Sequence, residues 1–438
     1  MNNEENIKLN KKSLSKNWKL LSFKTIIFGS ILIFIFSVLL LKLKFHINII
    51  VSLIISVLIT LSLFTFFIRL YKKRIGSFEF WHDLYGQKYS NIPYYQNEII
   101  INSFKKNGDN FNEEIGEINN GDDYNKNERN YYDIFIPYSS LKNKKNFNSI
   151  ILFIHGGAWR YGDKEHIEFF CSRYAKYGYI TASMNHTYLN KKYKDSSIFK
   201  ILDEITSCIN NIKFQLKNEG FDENKLEMAI GGISSGAHLA SLYAYSIKSP
   251  IQIKFVINLV GPLSLEPEYW YKIKENNILE NIEPKDIENA LNEKKIINIF
   301  KDESNLLNLM NSFIGNKFST QDIRGMIENK KIKLNNEKYK EMFKIAKNTF
   351  PTNFINSNTV PTLCKYGGKD SIVGIAQYSY LKKLSEKYGN TVELVYMKDG
   401  GHMLDGYNTI EGINSMREMH YKILNFANKY FISNGFYK

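Results

Sequence analysis

The chain is 438 residues long, enough for one large domain with attachments, and its 58 Lys and Arg against 44 Asp and Glu give a formal net charge of +14. The basic residues are scattered through a sequence rich in Lys, Asn, Ile and Phe, with no zinc finger or RNA-binding motif among them, so the charge does not argue for nucleic acid as a partner. Three cysteines, Cys171, Cys208 and Cys364, lie too far apart for a disulfide framework or a metal pattern and read as buried or half-buried thiols.

In chain order, residues 1–24 form a basic polar segment. Residues 25–41 are apolar without a charge, Lys42, Lys44 and His46 interrupt, and 47–68 are apolar again before Arg69, Lys72, Lys73 and Arg74. The second run is long enough to cross a bilayer. The first is near the lower limit and can be extended by Leu21 and Phe23, with Lys24 snorkelling. The pair reads as a transmembrane helical hairpin over 25–70. Its heavier Lys/Arg flanks are the outer two, which puts both termini and the remaining chain on the cytoplasmic side. A signal peptide is opposed by the missing small-residue cleavage site and by the second run. A single anchor, with the rest on the other side, and two buried helices of a soluble domain are the competing readings. Residues 71–130 read as a linker. Phe78, Phe80, Trp81, Tyr85, Tyr94 and Tyr95 suit either the headgroup level or the surface of a domain, and 105–130 a solvated loop.

Beyond the linker the pattern changes. Strands are predicted at 131–137 and at 148–154, where NSIILFI suits a strand buried on both faces. The second runs into His155-Gly156-Gly157-Ala158-Trp159. Glycine leaves backbone N–H groups free to converge on a developing negative oxygen. Here His155 braces the loop and Trp159 packs beside it or walls a pocket; a glycine-rich turn without that role is the alternative. A helix follows at 165–177, ended by Gly178, then a strand at 179–184 and a periodic helix at 197–217. Apolar residues 226–230 lead into Gly232-Ile233-Ser234-Ser235-Gly236, a G-x-S-x-G pattern, and 237–246 is compatible with a helix. Strand, motif and helix in that order read as a nucleophile elbow with Ser234 at its apex. His238 packs or hydrogen-bonds near it.

The second half supplies a strand at 253–260 and then 263–350, mostly helical in character and too long for a simple connection. It reads as a cap over the carboxyl edge of the sheet, with a purely structural helical insertion as the alternative. A strand at 360–366 precedes Asp370, a helix covers 377–388, a strand at 391–396 precedes His402, and a helix at 409–431 closes the domain. The order requires a mainly parallel sheet with helices on both faces, in two halves, 131–262 and 351–438, separated by the cap.

Ser234, Asp370 and His402 each follow a predicted strand and come in the chain order of a hydrolase triad. Asp133, Asp203 and Asp222 precede Ser234 and fit that order poorly. His155 and His238 compete less well than His402 as the base. Ser234 is then the nucleophile, His402 its base and Asp370 the group orienting His402. The N–H groups of Gly157 and Ser235, with Gly156 or Ala158, form the oxyanion hole. No metal or other cofactor is required.

These motifs together make residues 130–430 resemble the α/β-hydrolase superfamily, closest to the esterases related to hormone-sensitive lipase, with Ala158 where a third glycine often stands. HGGAW, Tyr161-Gly162-Asp163 and GISSGAH also resemble carboxylesterases of the kynurenine-formamidase and isoprenylcysteine-methylesterase type. The resemblance implies an α/β-hydrolase fold and a serine esterase. The apolar hairpin points to membrane lipid as a partner and to hydrophobic or amphipathic esters, lipid or prenylcysteine-type, as substrates. An acyltransferase, an amidase or peptidase, and a non-catalytic binding protein on the same fold are the alternatives.

Overall fold

A parallel strand covered on both faces needs a continuous apolar run, and Asn148–Ile154 and Leu226–Ile233 supply two. In the computed structural model these lie at the centre of an eight-stranded sheet. The structure describes residues 34–39, 48, 50–51, 53–63, 81, 83–94, 129–190, 192–193, 196–266, 303–368, 370, 372–398, 400–402 and 410–432. The chain divides into two units, residues 1–78 with 405–417, and residues 79–404 with 418–438.

In the first unit, residues 34–39, 50–51 and 53–63 are helical, and apolar side chains such as Phe36, Ile50 and Leu58 are exposed. Among the described residues no helix is long and apolar enough to cross a membrane. Residues 25–33, 40–41, 47, 49, 52 and 64–68 of the two apolar runs lie outside the described residues.

The second unit begins inside the stretch read as linker. Gly86–Pro93 is a strand, β1, at the sheet edge, antiparallel to β2, Tyr131–Pro137. As an edge strand β1 is paired on one side only and tolerates the polar residues Gln87, Lys88 and Asn91, and a register shift between Tyr89 and Ile92 breaks the alternation by which a strand is recognised. Of the neighbouring aromatics, Trp81 and Tyr94 pack on this domain, while Phe78, Phe80 and Tyr95 lie outside the described residues. Trp81 meets the Phe135 ring at 5.3 Å, and the buried Tyr94 hydroxyl donates to the Asn185 carbonyl.

The remaining order is β3 (Asn148–Ile154), α1 (Glu168–Lys176), β4 (Ile180–Met184), α2 (Ile198–Asn218), β5 (Leu226–Ile233), α3 (Ser235–Ser246) and β6 (Gln252–Leu259). The insertion contributes α4 (Glu303–Phe313), α5 (Thr320–Gly325), a small hairpin of β7 (Ile327–Glu328) and β8 (Lys331–Ile332), and α6 (Glu337–Ala346). Asn329 and Lys330, both at positive φ, turn the hairpin, which a mostly helical expectation did not include. Then come β9 (Thr362–Gly367), α7 (Ala376–Tyr388), β10 (Val392–Met397) and α8 (Ile410–Tyr430). Sheet order is β1-β2-β4-β3-β5-β6-β9-β10; the two pairings of β2 are antiparallel and the others parallel. A sheet of this kind offers its sites beyond the carboxyl ends of its strands.

The two stems of the insertion are clamped together there. Thr352 donates to the Leu263 carbonyl through both its N–H (3.3 Å) and its hydroxyl (3.1 Å). Gln377 accepts from the N–H groups of Leu263 (2.7 Å) and Ser264 (2.9 Å).

Candidate active site

Ser234 follows β5 directly and adopts φ 54°, ψ −121°, a conformation costly for a residue with a Cβ. Its N–H donates to Leu259 O at 2.8 Å, fastening the turn to β6. Helix α3 then starts against the end of β3. A Cβ on Gly236 would sit 2.1 Å from Ile154 O and 2.4 Å from His155 O. Close approach, more than freedom of φ, therefore requires glycine here. Gly236→Ala is expected to cost about 3 kcal/mol of stability by forcing these backbones apart. Urea denaturation measures it, and an unchanged midpoint would show that the contact is not tight.

The same approach carries the HGGAW loop to the serine. The position a Cβ on Gly156 would take is 3.4 Å from Ser234 Cβ. Gly157, Ala158 and Trp159 all have positive φ, at 128°, 51° and 61°. Arg160 and Tyr161 N–H close the turn on Gly157 O, at 3.0 and 2.9 Å. The N–H groups of Gly157 and Ala158 donate to no described residue. That of Ser235, first in α3, has no intrahelical acceptor. The N–H groups of Gly157, Ala158 and Ser235 are thus open as donors in the two turns that meet where Gly156 approaches Ser234; the set expected from sequence counts Gly156 as well.

Two groups of side chains hold this strained loop. On one side buried His155 donates from Nδ1 to Gly156 O (2.8 Å) and stacks on His186 at 4.6 Å. The Arg129 guanidinium lies 3.4 Å from His155 Nε2, donates to Gly162 O (3.0 Å), pairs with Asp163 (2.9 Å) and covers the Tyr188 ring. Burial, helped by His186, pushes the His155 pKa well down, and burial takes His186 to about 4. On the other side Trp159 Nε1 donates to His238 Nδ1 (3.2 Å), and His238 Nε2 donates to Thr349 O (2.8 Å). Burial lowers His238 to about 4 as well. Neutral and committed to these bonds, neither His155 nor His238 serves as a base for Ser234.

Asp370 and His402 come from the loops after β9 and β10. A Cβ on Gly367 would lie 2.1 Å from Gly400 O, so the loops touch, and Gly368 N–H donates to Met397 O at 2.8 Å. His402 Nε2 accepts from Ser234 Oγ at 2.8 Å, and its Nδ1 donates to Asp370 Oδ2 at 2.9 Å. The other carboxylate oxygen, Oδ1, accepts from Ile372 and Val373 N–H, both at 2.9 Å. The Asp370 side chain is fully buried and that of His402 is 10% exposed. Of the competing acids, Asp133 pairs with buried Lys164 (3.1 Å) and Asp222 caps Asn224 N–H (3.1 Å). All three cysteines are buried free thiols, their pKa values raised by burial.

The structure brings Ser234, His402 and Asp370 together through hydrogen bonds, sets Gly156 against Ser234 and Gly232 against Gly236, and joins Trp159 to His238. Sequence reasoning missed the supports Arg129, His186, Tyr188, Phe313 and Thr349. No local signal marks them, because each meets its partner only in the folded chain.

No curated protein matches this chain. Among solved structures it is similar to a truncated carbohydrate esterase from gut microbiota, at 14% identity, covering 78% of this chain and 97% of that one with a TM-score of 0.46. Esterase B of Lactobacillus rhamnosis shows 13% identity over 84% of this chain and 94% of that one, with a TM-score of 0.48. Esterase 2 of Thermogutta terrifontis, phosphonylated by sarin, shows 15% identity over 70% and 91%, with a TM-score of 0.45. The assignment rests instead on the family model described as BD-FAE, which matches residues 132–384, from β2 into α7. That span holds the HGGAW loop, the elbow and Asp370, and on it the chain belongs to BD-FAE, a family of α/β-hydrolase-type esterases.

Proposed function

We propose that this esterase cleaves hydrophobic or amphipathic carboxylic esters through an acyl-enzyme on Ser234. The observation that carries the reading is His402 standing between Ser234 Oγ and Asp370 Oδ2, with a hydrogen bond to each. A carboxylate can only accept, so the His402 proton resides on Nδ1 and leaves Nε2 open to the serine proton. Ser234 Oγ attacks the ester carbonyl as His402 Nε2 takes its proton. The N–H groups of Gly157, Ala158 and Ser235 receive the negative oxygen. Collapse of the tetrahedral intermediate breaks the C–O bond to the alcohol, which leaves with the proton from His402. Water, deprotonated by the same nitrogen, then releases the acid and restores Ser234.

The amino-terminal runs are what support this substrate class. Two uncharged apolar stretches in residues 25–70, with apolar side chains exposed on their described helical parts, support a membrane hairpin that holds the catalytic domain beside lipid or prenylcysteine-type esters on the cytoplasmic side. Labelling with a fluorophosphonate is expected in the native protein and absent in Ser234→Ala, together with ester hydrolysis. Equal labelling of both would remove Ser234 as nucleophile. The full-length protein is expected to stay in the pellet after alkaline carbonate extraction, and release into the supernatant would remove the hairpin.

A further inference from the structure

The HGGAW loop and the cap are joined by one side chain that the reaction itself does not use. His238 lies in the first turn of α3, is buried, and has both ring nitrogens committed: Nδ1 accepts from Trp159 Nε1 at 3.2 Å and Nε2 donates to Thr349 O at 2.8 Å. Trp159 is the residue after Ala158, whose N–H donates to no described residue. Thr349 ends the exit stem of the cap, three residues before the Thr352 clamp on Leu263. The ring of Phe313, from cap helix α4, closes over both partners, 4.7 Å from Trp159 and 5.4 Å from His238. We propose that His238 is a positioning residue that fixes the oxyanion loop through Trp159 and ties its geometry to the seating of the cap. The proposal rests on the acyl-enzyme reading above.

Three consecutive residues at positive φ, two of them not glycine, do not hold such a conformation unaided. The contacts around them must impose it. Main-chain bonds fix the two ends of the turn: Arg160 and Tyr161 to Gly157 O, and Leu189 N–H to Trp159 O at 2.8 Å. Because each peptide unit is planar, these bonds orient the Ala158 N–H through Gly157 O, and the His155 bond to Gly156 O orients the Gly157 N–H. They do not fasten the Trp159 end of the turn to α3, the helix that begins at Ser235; the Trp159 side chain does, because it grows from the last strained residue and its indole N–H has His238 of α3 as acceptor. Removing His238 leaves a buried donor on Trp159 and, on the cap side, the Thr349 carbonyl without this partner. The loop then relaxes. An oxyanion donor displaced by about 1 Å can cost on the order of 10²-fold in rate. The donors act on the transition state, so the loss belongs in kcat and leaves KM alone.

Three variants test this in the full-length protein: His238→Leu, which removes both bonds; Trp159→Phe, which removes only the donor and keeps a ring against Phe313; and His238→Gln, whose amide can accept from Trp159 and donate to Thr349 as the neutral imidazole does. The readouts are kcat and KM on p-nitrophenyl butyrate, scaled to the fraction of Ser234 titrated by a fluorophosphonate, and the affinity of a trifluoromethyl ketone that becomes an oxyanion on Ser234. His238→Leu and Trp159→Phe are expected to lower kcat per titrated serine by about 10- to 100-fold with KM within about twofold, and to weaken the ketone in parallel. His238→Gln is expected to recover most of the rate, and the double variant His238→Leu/Trp159→Phe to be no worse than His238→Leu. Native kcat per titrated serine in Trp159→Phe and in whichever His238→Leu protein folds overturns the proposal, whatever happens to the unfolding midpoint. Absence of Ser234 labelling in the native protein overturns the acyl-enzyme reading, and the proposal with it.

Discussion

His402→Ala is expected to lower kcat by about 10⁶-fold and Asp370→Asn by about 10⁴-fold, measured on a p-nitrophenyl ester with the protein quantified by circular dichroism and mass. The first follows from the 2.8 Å bond to Ser234 Oγ, the described path by which the serine proton leaves. Without a base the hydroxyl remains a weak nucleophile, and the free oxyanion donors supply only residual catalysis. For the same reason Ser234→Ala/His402→Ala is expected to be no slower than either single variant, since the two side chains act as one unit. The second is sharper because the surroundings of Asp370 decide how an asparagine would sit. Oδ1 accepts from two backbone N–H groups, Ile372 and Val373. Only the amide oxygen of the introduced asparagine can replace it there, which puts the NH₂ group where Oδ2 now faces His402 Nδ1. That NH₂ donates, so Nδ1 must accept, and the ring proton moves to Nε2, toward Ser234. The base then presents a proton to a proton. Asp370→Ala imposes no tautomer and is expected to be no slower than Asp370→Asn. An asparagine variant within tenfold of native would contradict the assignment of Asp370.

What was legible in the sequence follows a physical division. Ser234, Asp370 and His402 each stand a few residues past a strand, and strands buried on both faces announce themselves as apolar runs such as NSIILFI. Chain order then sorts the roles. The glycines of the elbow are legible for a related reason: the close approach of Gly236 to Ile154 and His155 admits no side chain. β1 is not legible because an edge strand with one paired side tolerates Gln87, Lys88 and Asn91, and its register shift hides the period. The supports of the oxyanion loop are hidden for a different reason. Arg129 reaches His155 across 26 residues and His238 reaches Thr349 across 111, distances over which composition and periodicity carry no information. A sequence read element by element thus yields the hydrogen-bonded trio of the candidate site, whose position is set by strands. The groups that hold them are set by tertiary contact and have to be seen.

Those holding groups make acid the second large lever on the protein. Burial holds His186 and His238 down at about 4 and places His155 and His420 well below the ordinary imidazole range. An unfolded histidine titrates near 6.5. Between about pH 6.5 and 4 the unfolded chain therefore binds more protons than the native one, and stability falls as pH falls across that window. Each such histidine contributes a slope of about 1.4 kcal/mol per pH unit while it stays neutral. Buried Asp133 and Glu204, whose pKa values burial raises, act with the opposite sign: they bind protons first in the native state and soften the loss toward pH 4. A difference measurement separates the two. His186→Phe keeps a ring stacked on His155, where 4.6 Å separates the imidazoles, and removes one titrating group. Urea denaturation at intervals from pH 7 to 5 is expected to show a slope shallower by about 1.4 kcal/mol per pH unit in the variant below pH 6.5. Activity follows stability downward in the native protein. A proton on His155 Nε2 would turn an N–H toward the Arg129 guanidinium 3.4 Å away, and the loop presenting Gly157 and Ala158 would lose that brace. Identical slopes in native and His186→Phe protein would mean that His186 is not held neutral, and the acid sensitivity would then have to lie in other groups.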